Sequence, residues 1–211
     1  GGYIKPMPMA YRRLVDGASL SINGNRWRVV VGRGHSPEHA CLYCENLNIL
    51  ISGDQVIPRI TSNVSVMGGE PEANPLKDWL YSHEHFLEVL PADALVLPAH
   101  NAPFHGLHHR LRYLIEHHEE HLLALEEACL DGQPSAMDLL SVLFKRPLAD
   151  HDLGLALGEC TAHLNFLHQR GQLERHLLEG GRYGYRSVDP TLAMRLRRQR
   201  HEGDEQPPYQ V

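Results

Sequence analysis

A chain of 211 residues with 42% hydrophobic content is long enough for one large or two small domains around a packed core. Its net charge of −6 excludes a chain-wide attraction to nucleic acid or to an anionic membrane. No apolar run approaches the roughly 20 residues that span a bilayer, and no charged-then-apolar leader opens the sequence, so a cytoplasmic protein without a membrane partner is expected.

Four cysteines, Cys41, Cys44, Cys129 and Cys160, are too few and too scattered for a disulfide scaffold. Cys41 and Cys44 form a CxxC pair, but residues three apart on a strand point to opposite faces, so buried thiols are expected instead of shared metal ligands. The chain opens Gly1-Gly2 and not Met, which is expected of a processed or shortened start.

The first residues are irregular, with Pro6 and Pro8, and the segment 11–17 closes in a turn at Gly17. Strands are expected at Ser19–Ile22 and over 26–31, separated by Asn23-Gly24, a strong short-range hairpin signal. A second antiparallel pair over 40–44 and 48–52 leads into Gly53-Asp54. Asn74-Pro75 then starts a helix, with asparagine as cap and proline in the first turn. That helix runs to about Leu90, buries Leu76, Trp79, Leu80, His83, Phe86, Leu87 and Leu90 on one face, and stops at Pro91. A buried strand over 93–98 ends at Ala99-His100.

A long polar-faced helix is expected from His105 to about Leu130, closed by Asp131-Gly132. Ser135 is expected to cap a helix over 136–144, and a further helix over 155–170 closes at Gly171. Two strands over 172–178 and 182–188 flank Glu179-Gly180-Gly181. Helix, helix, then hairpin is the order of a winged helix. The tail from Thr191, basic and then acidic and proline-containing, is expected to be disordered.

Sixteen histidines need sorting. His35 sits in a Gly-Ser-Pro loop, while Asp54 and His100 each lie just past an expected strand. Imidazole and carboxylate hold zinc and similar cations, and a carboxylate between two ions is what a bridged pair requires. His117-His118-Glu119-Glu120-His121 fits H-x-x-E-H, but its charged neighbours imply a solvated, histidine-studded helix face. His163 and His168 are expected to be partly buried structural residues.

Gly34-His35-Ser36-Pro37-Glu38-His39, then Ser52-Gly53-Asp54, then Pro98-Ala99-His100 resembles the later metal motifs of the metallo-β-lactamase fold family, in family order. That superfamily includes glyoxalase II-like thioesterases, lactonases and ribonucleases of the RNase Z type. The resemblance implies that His35 completes one metal site, Asp54 bridges both ions and acts catalytically, and His100 belongs to the second site. The implied cofactor of the intact protein is two divalent ions, zinc or else iron or manganese. The implied reaction is hydrolysis of an ester, thioester or phosphodiester of a small-molecule substrate by a metal-bound hydroxide.

Two positions depart from the family pattern: Glu38 and Asn101 stand where glycine is common. A larger departure is that His-x-His-x-Asp-His, the family's first motif, does not precede His35; His83-Glu84-His85 is the sole His-x-His in the sequence. The expectation is therefore an α+β chain. It would hold the C-terminal half of a metallo-β-lactamase αββα sandwich (1–105), a linking helix (106–134), a winged-helix domain (135–190) and a tail (191–211). Such a chain alone would bind metal weakly and lack activity. The alternative is a non-catalytic winged-helix module that binds nucleic acid or protein. Against nucleic acid, 136–190 carries Lys145, Arg146, Arg170, Arg175, Arg182 and Arg186 against seven carboxylates, a balance of −1.

Overall fold

A computed structural model describes residues 10–189 and 191. The expected tail beyond Thr191, and the prolines at 6 and 8, lie outside the described residues. Strands β1 (Ser19–Ile22), β2 (Asn25–Gly32), β3 (His39–Cys44), β4 (Ile49–Gly53) and β5 (Leu95–Pro98) form one sheet in sequence order. Asn23 and Gly24 both take positive φ, 50° and 78°, which is the two-residue turn that their sequence announces. The first three pairings are antiparallel and β4 with β5 is parallel, the crossover being helix α1 (Pro75–Val89). Asn74 caps α1 through its side chain, which accepts from the Lys77 N–H at 3.1 Å.

One face of the sheet carries the core. Val30 lies opposite Cys41, and Leu50 lies opposite Tyr43 and Val96; all five are buried. Against them pack Leu76, Trp79, Leu80 and Phe86 of α1, each such side chain worth roughly 1.5–3 kcal/mol when withdrawn from water. The other face presents the row Val29, Leu42, Ile51 and Leu97, where Ile51 is 39% exposed.

Helix α2 (Leu107–Ala128) buries Leu107, Leu111, Leu114, His118, Leu122 and Leu125, a stripe at helical spacing. The expectation of a solvated histidine face is overturned at His118, which has no solvent exposure and sits inside that stripe. All four cysteines are free and buried, as expected.

The helix expected over 136–144 is reduced to one turn, α3 (Leu140–Leu143). Ser135 does not cap it as expected. Its backbone N–H and its hydroxyl both donate to Asp138 Oδ2, and it bridges to Gly184 of the terminal hairpin, which holds the chain extended there. Helix α4 (Asp150–Gln169) begins five residues earlier than expected and packs on α1, α2 and α3. Strands β6 (Leu173–Leu177) and β7 (Tyr183–Ser187) pair across Gly180 and Gly181, both at positive φ. Among the described residues no helix is long and apolar enough to cross a membrane.

Candidate metal centre

Strands β2 and β4 both run antiparallel to β3, and β5 runs parallel to β4, so β2, β4 and β5 share one direction and end at one edge. His35 follows β2 by three residues, Asp54 follows β4 directly and His100 follows β5 by two. The topology therefore delivers all three loops to the same edge, and the structure brings all three side chains together. His35 Nε2 lies 3.9 Å from Asp54 Oδ2, and His100 Nε2 lies 3.3 Å from Asp54 Oδ1. Each carboxylate oxygen faces a different imidazole. They line a cleft of about 200 Å³ with Ile57, Ile60, Ser62 and Asn63.

The loop that carries His35 lies directly on α1. Gly34 has φ +100°, and a Cβ there would stand 2.5 Å from Trp79 Cβ and 2.7 Å from the Pro75 carbonyl oxygen. Only glycine meets both conditions. His35 Nδ1 is 2.8 Å from the Asn63 carbonyl oxygen. A carbonyl can only accept, so Nδ1 carries the proton and Nε2 keeps its lone pair toward Asp54.

Asn63 is itself held. Its side-chain amide donates to Glu159 Oε2 at 3.0 Å, across 96 residues of sequence, and its Oδ1 accepts from the Ser65 hydroxyl. Burial raises the Glu159 carboxyl to a pKa of about 7, against the Asn63 hydrogen bond that favours its charged form.

Asp54 is aimed by a local irregularity: the β4–β5 register shifts between Ile51 and Gly53, and Gly53 has φ +54°. A Cβ on Gly53 would meet His39 Nε2 at 2.3 Å, so the glycine makes room for that ring. The Ser62 hydroxyl donates to the Asp54 carbonyl oxygen.

After His100, Asn101 adopts φ +67°. Asparagine tolerates this left-handed conformation, which accounts for its standing at a position where glycine is common. Glu38, the other departure, turns outward to pair with Arg13 at 2.6 Å and Arg33 at 3.8 Å. Exposed pairs of this kind contribute little.

Sequence reasoning passed over three residues here. His39 opens β3 beside Gly53, and burial, followed by the charge of His35, lowers its proton affinity while Asp54 raises it. Its signal was present in His35-x-x-x-His39. Asn63 and Glu159 had no local signal, since their role exists only through the folded contact. The His83-Glu84-His85 element is excluded from this edge, because His83 is fully buried with Nδ1 on the Trp79 carbonyl oxygen at 2.8 Å.

Two imidazole nitrogens and a two-oxygen carboxylate form a donor set suited to zinc, iron or manganese. The fixed tautomer of His35 fits a ligand role, since it leaves the lone pair on the nitrogen that faces Asp54. The arrangement supplies at most three ligands to a bridged pair and leaves open positions.

Residues 122–188 match the family model described as metallo-beta-lactamase-like, C-terminal domain. The chain is similar over 87% of its length to a beta-lactamase domain protein from Burkholderia ambifaria, at 42% identity and a TM-score of 0.84, and spans 54% of that chain. It is also similar over 85% of its length to a metallo-beta-lactamase family protein from Thermus thermophilus, at 30% identity and a TM-score of 0.72, and spans 55% of that chain. The chain thus spans about half the length of these relatives. Its mixed α+β architecture and its similarity at these identities place its homologues among metallo-beta-lactamase-family hydrolases.

Proposed function

We propose that His35, Asp54 and His100 are one part of a dinuclear metal centre in a hydrolase of small-molecule esters, thioesters or phosphodiesters. The observation that carries this reading is the division of Asp54, one oxygen toward His35 and the other toward His100. A carboxylate so placed can bridge two cations. When bound, such ions lower the pKa of water and act as Lewis acids toward a carbonyl or phosphoryl oxygen.

The residues of this chain do the positioning. Asn63 holds the ring of His35 in the tautomer that offers Nε2, Gly53 and the bulge aim Asp54, and Asn101 turns the chain so that His100 faces back across the carboxylate. The remaining ligands of such a pair would come from sequence beyond these 211 residues. Two observations support that: the chain spans about half of its relatives, and the sheet row that includes Leu42, Ile51 and Leu97 is partly exposed. At the Asp54 centre this chain alone would then bind metal weakly and turn over no substrate.

Residues 135–190 are read as a winged-helix unit that packs against the sheet domain and shapes the substrate entrance. The second helix of that unit, α4, contains no lysine or arginine, which argues against phosphate contacts and for a small-molecule substrate.

Metal analysis tests the reading, paired with turnover of a panel of thioesters, lactones and phosphodiesters. A longer chain that includes the upstream half should hold two ions and lose turnover with a chelator or with Asp54→Ala. Undiminished turnover in Asp54→Ala, or robust turnover by the 211-residue chain, would sink it.

A further inference from the structure

A second cluster of imidazoles lies between α2 and α4, away from the sheet edge. His118 and His121 stand three residues apart on α2, and His163 faces them from α4. Each offers a ring nitrogen, and these nitrogens all lie within 4.8 Å of one another. His118 Nδ1 and His163 Nε2 are already at 3.1 Å. Nitrogens on neighbouring corners of a tetrahedral zinc site lie roughly 3.3 Å apart, given Zn–N bonds of about 2.0–2.1 Å. The remaining gap closes by rotation of the half-buried His121.

Two further features favour a ligand over a purely structural contact. His163 Nδ1 donates to the Glu159 carbonyl oxygen at 2.8 Å, which fixes the tautomer and leaves the Nε2 lone pair pointing into the cluster. His118 Nε2 and His121 Nδ1 are buried without a hydrogen-bond partner among the described residues. Buried polar nitrogens are ordinarily satisfied, and the open His121 Nδ1 suits a cation that takes lone pairs. The His118 ring, which donates from Nδ1 to His163 Nε2, would offer Nδ1 to the ion by moving its proton to the open Nε2. Burial also keeps these rings neutral, the form that binds metal: it lowers His163 to about 4 and His121 to about 3, and lowers His118 well below the usual imidazole range.

We infer that His118, His121 and His163 form a structural metal site for Zn²⁺ or a similar imidazole-preferring divalent ion, which clamps α2 to α4. The site is separate from the Asp54 centre. His117, whose ring centroid is 4.1 Å from that of His121, and Lys145 lie beside it.

The test uses the full 211-residue chain carrying His35→Ala and His100→Ala, which removes the sheet-edge ligands while leaving α2 and α4 untouched. Titrated with zinc alone, this variant should bind one equivalent and its Tm should rise with zinc concentration. Adding His121→Ala, at a half-buried position, should abolish both effects while the metal-free Tm stays close to that of the parent variant. His163→Gln serves as a second probe, expected to lose binding in the same way. Cobalt substitution should show the absorption of a tetrahedral nitrogen site, absent after His121→Ala. No zinc bound by the His35→Ala/His100→Ala chain would overturn the inference. So would zinc binding and a Tm rise that survive His121→Ala.

Discussion

Asn63 donates its side-chain amide to Glu159 Oε2 at 3.0 Å, and its own carbonyl oxygen accepts from His35 Nδ1 at 2.8 Å. The Glu159 carbonyl oxygen in turn accepts from His163 Nδ1 at 2.8 Å. One turn of α4 therefore orients a candidate ligand on the sheet edge through Asn63, and a second candidate ligand in the helix cluster directly. The C-terminal helices are part of how the site is held.

Glu159→Ala should consequently loosen His35 without touching it. The variant removes the 3.0 Å acceptor of the half-buried Asn63 amide and leaves it the longer contact to the Leu155 carbonyl oxygen at 3.4 Å, at a cost of about 1 kcal/mol in stability. Loss of a residue that orients a ligand's partner should weaken zinc at the Asp54 centre by up to roughly 10–100-fold. Glu159→Gln keeps an acceptor oxygen and resembles the protonated carboxyl, so it should stay within a few-fold of the parent. Competition with a chromophoric chelator, in a His121→Ala background that silences the helix cluster, reads the difference. Equal affinities for the alanine and glutamine variants would show that the Asn63 contact does not position His35.

Gly34 and Gly106 separate backbone strain from steric conflict. Both have positive φ, +100° and +90°, but a Cβ on Gly34 runs into Trp79 and Pro75 while one on Gly106 meets nothing within 4 Å. Gly106→Ala should therefore cost only left-handed strain, about 1–2 kcal/mol. Gly34→Ala should cost at least about 2 kcal/mol more, because backbone and a packed ring must shift, and it should displace His35. Urea unfolding gives the two free energies. Similar costs at the two positions would contradict the close approach of the loop to α1.

Much of this architecture was legible because local signals and global pairing agree. Asn23-Gly24 dictated a hairpin and obtained it, Asn74-Pro75 started a helix and did so, and strand-end positions of His35, Asp54 and His100 led to their convergence at one edge. Ser135 was misread because a serine hydroxyl that could accept at a helix start can equally donate beside an isolated bridge, and only the hairpin at Gly184 decides between them. His118 was misread because the composition of its neighbours outweighed its position. Its place in the series Leu107, Leu111, Leu114, His118, Leu122 and Leu125 was the better guide, and period should have decided over polarity. Glu159 could not have been found in sequence, since its partner lies 96 residues away and neither residue carries a motif.

Acid should destabilise the fold through buried imidazoles, and His83 isolates one of them. Burial, with the charge of Arg110, pushes it down to about 4 from 6.5, against a hydrogen bond to the Trp79 carbonyl oxygen that favours protonation. Below pH 6.5 the unfolded chain binds a proton that the folded chain refuses until about pH 4. Its contribution is therefore fully present above pH 6.5 and is lost as pH falls through that window, by up to roughly 3 kcal/mol at about 1.4 kcal/mol per unit. His118, His121 and His163 are lowered in the same direction and add to the slope. In His83→Leu the ring nitrogen that lacks a hydrogen-bond partner disappears with the ring, and no buried donor is stranded. Near pH 5 the variant should take up about one proton fewer on unfolding, read from the pH dependence of the urea midpoint. An unchanged slope would mean that His83 already carries its proton in the folded core, which full burial beside Arg110 opposes.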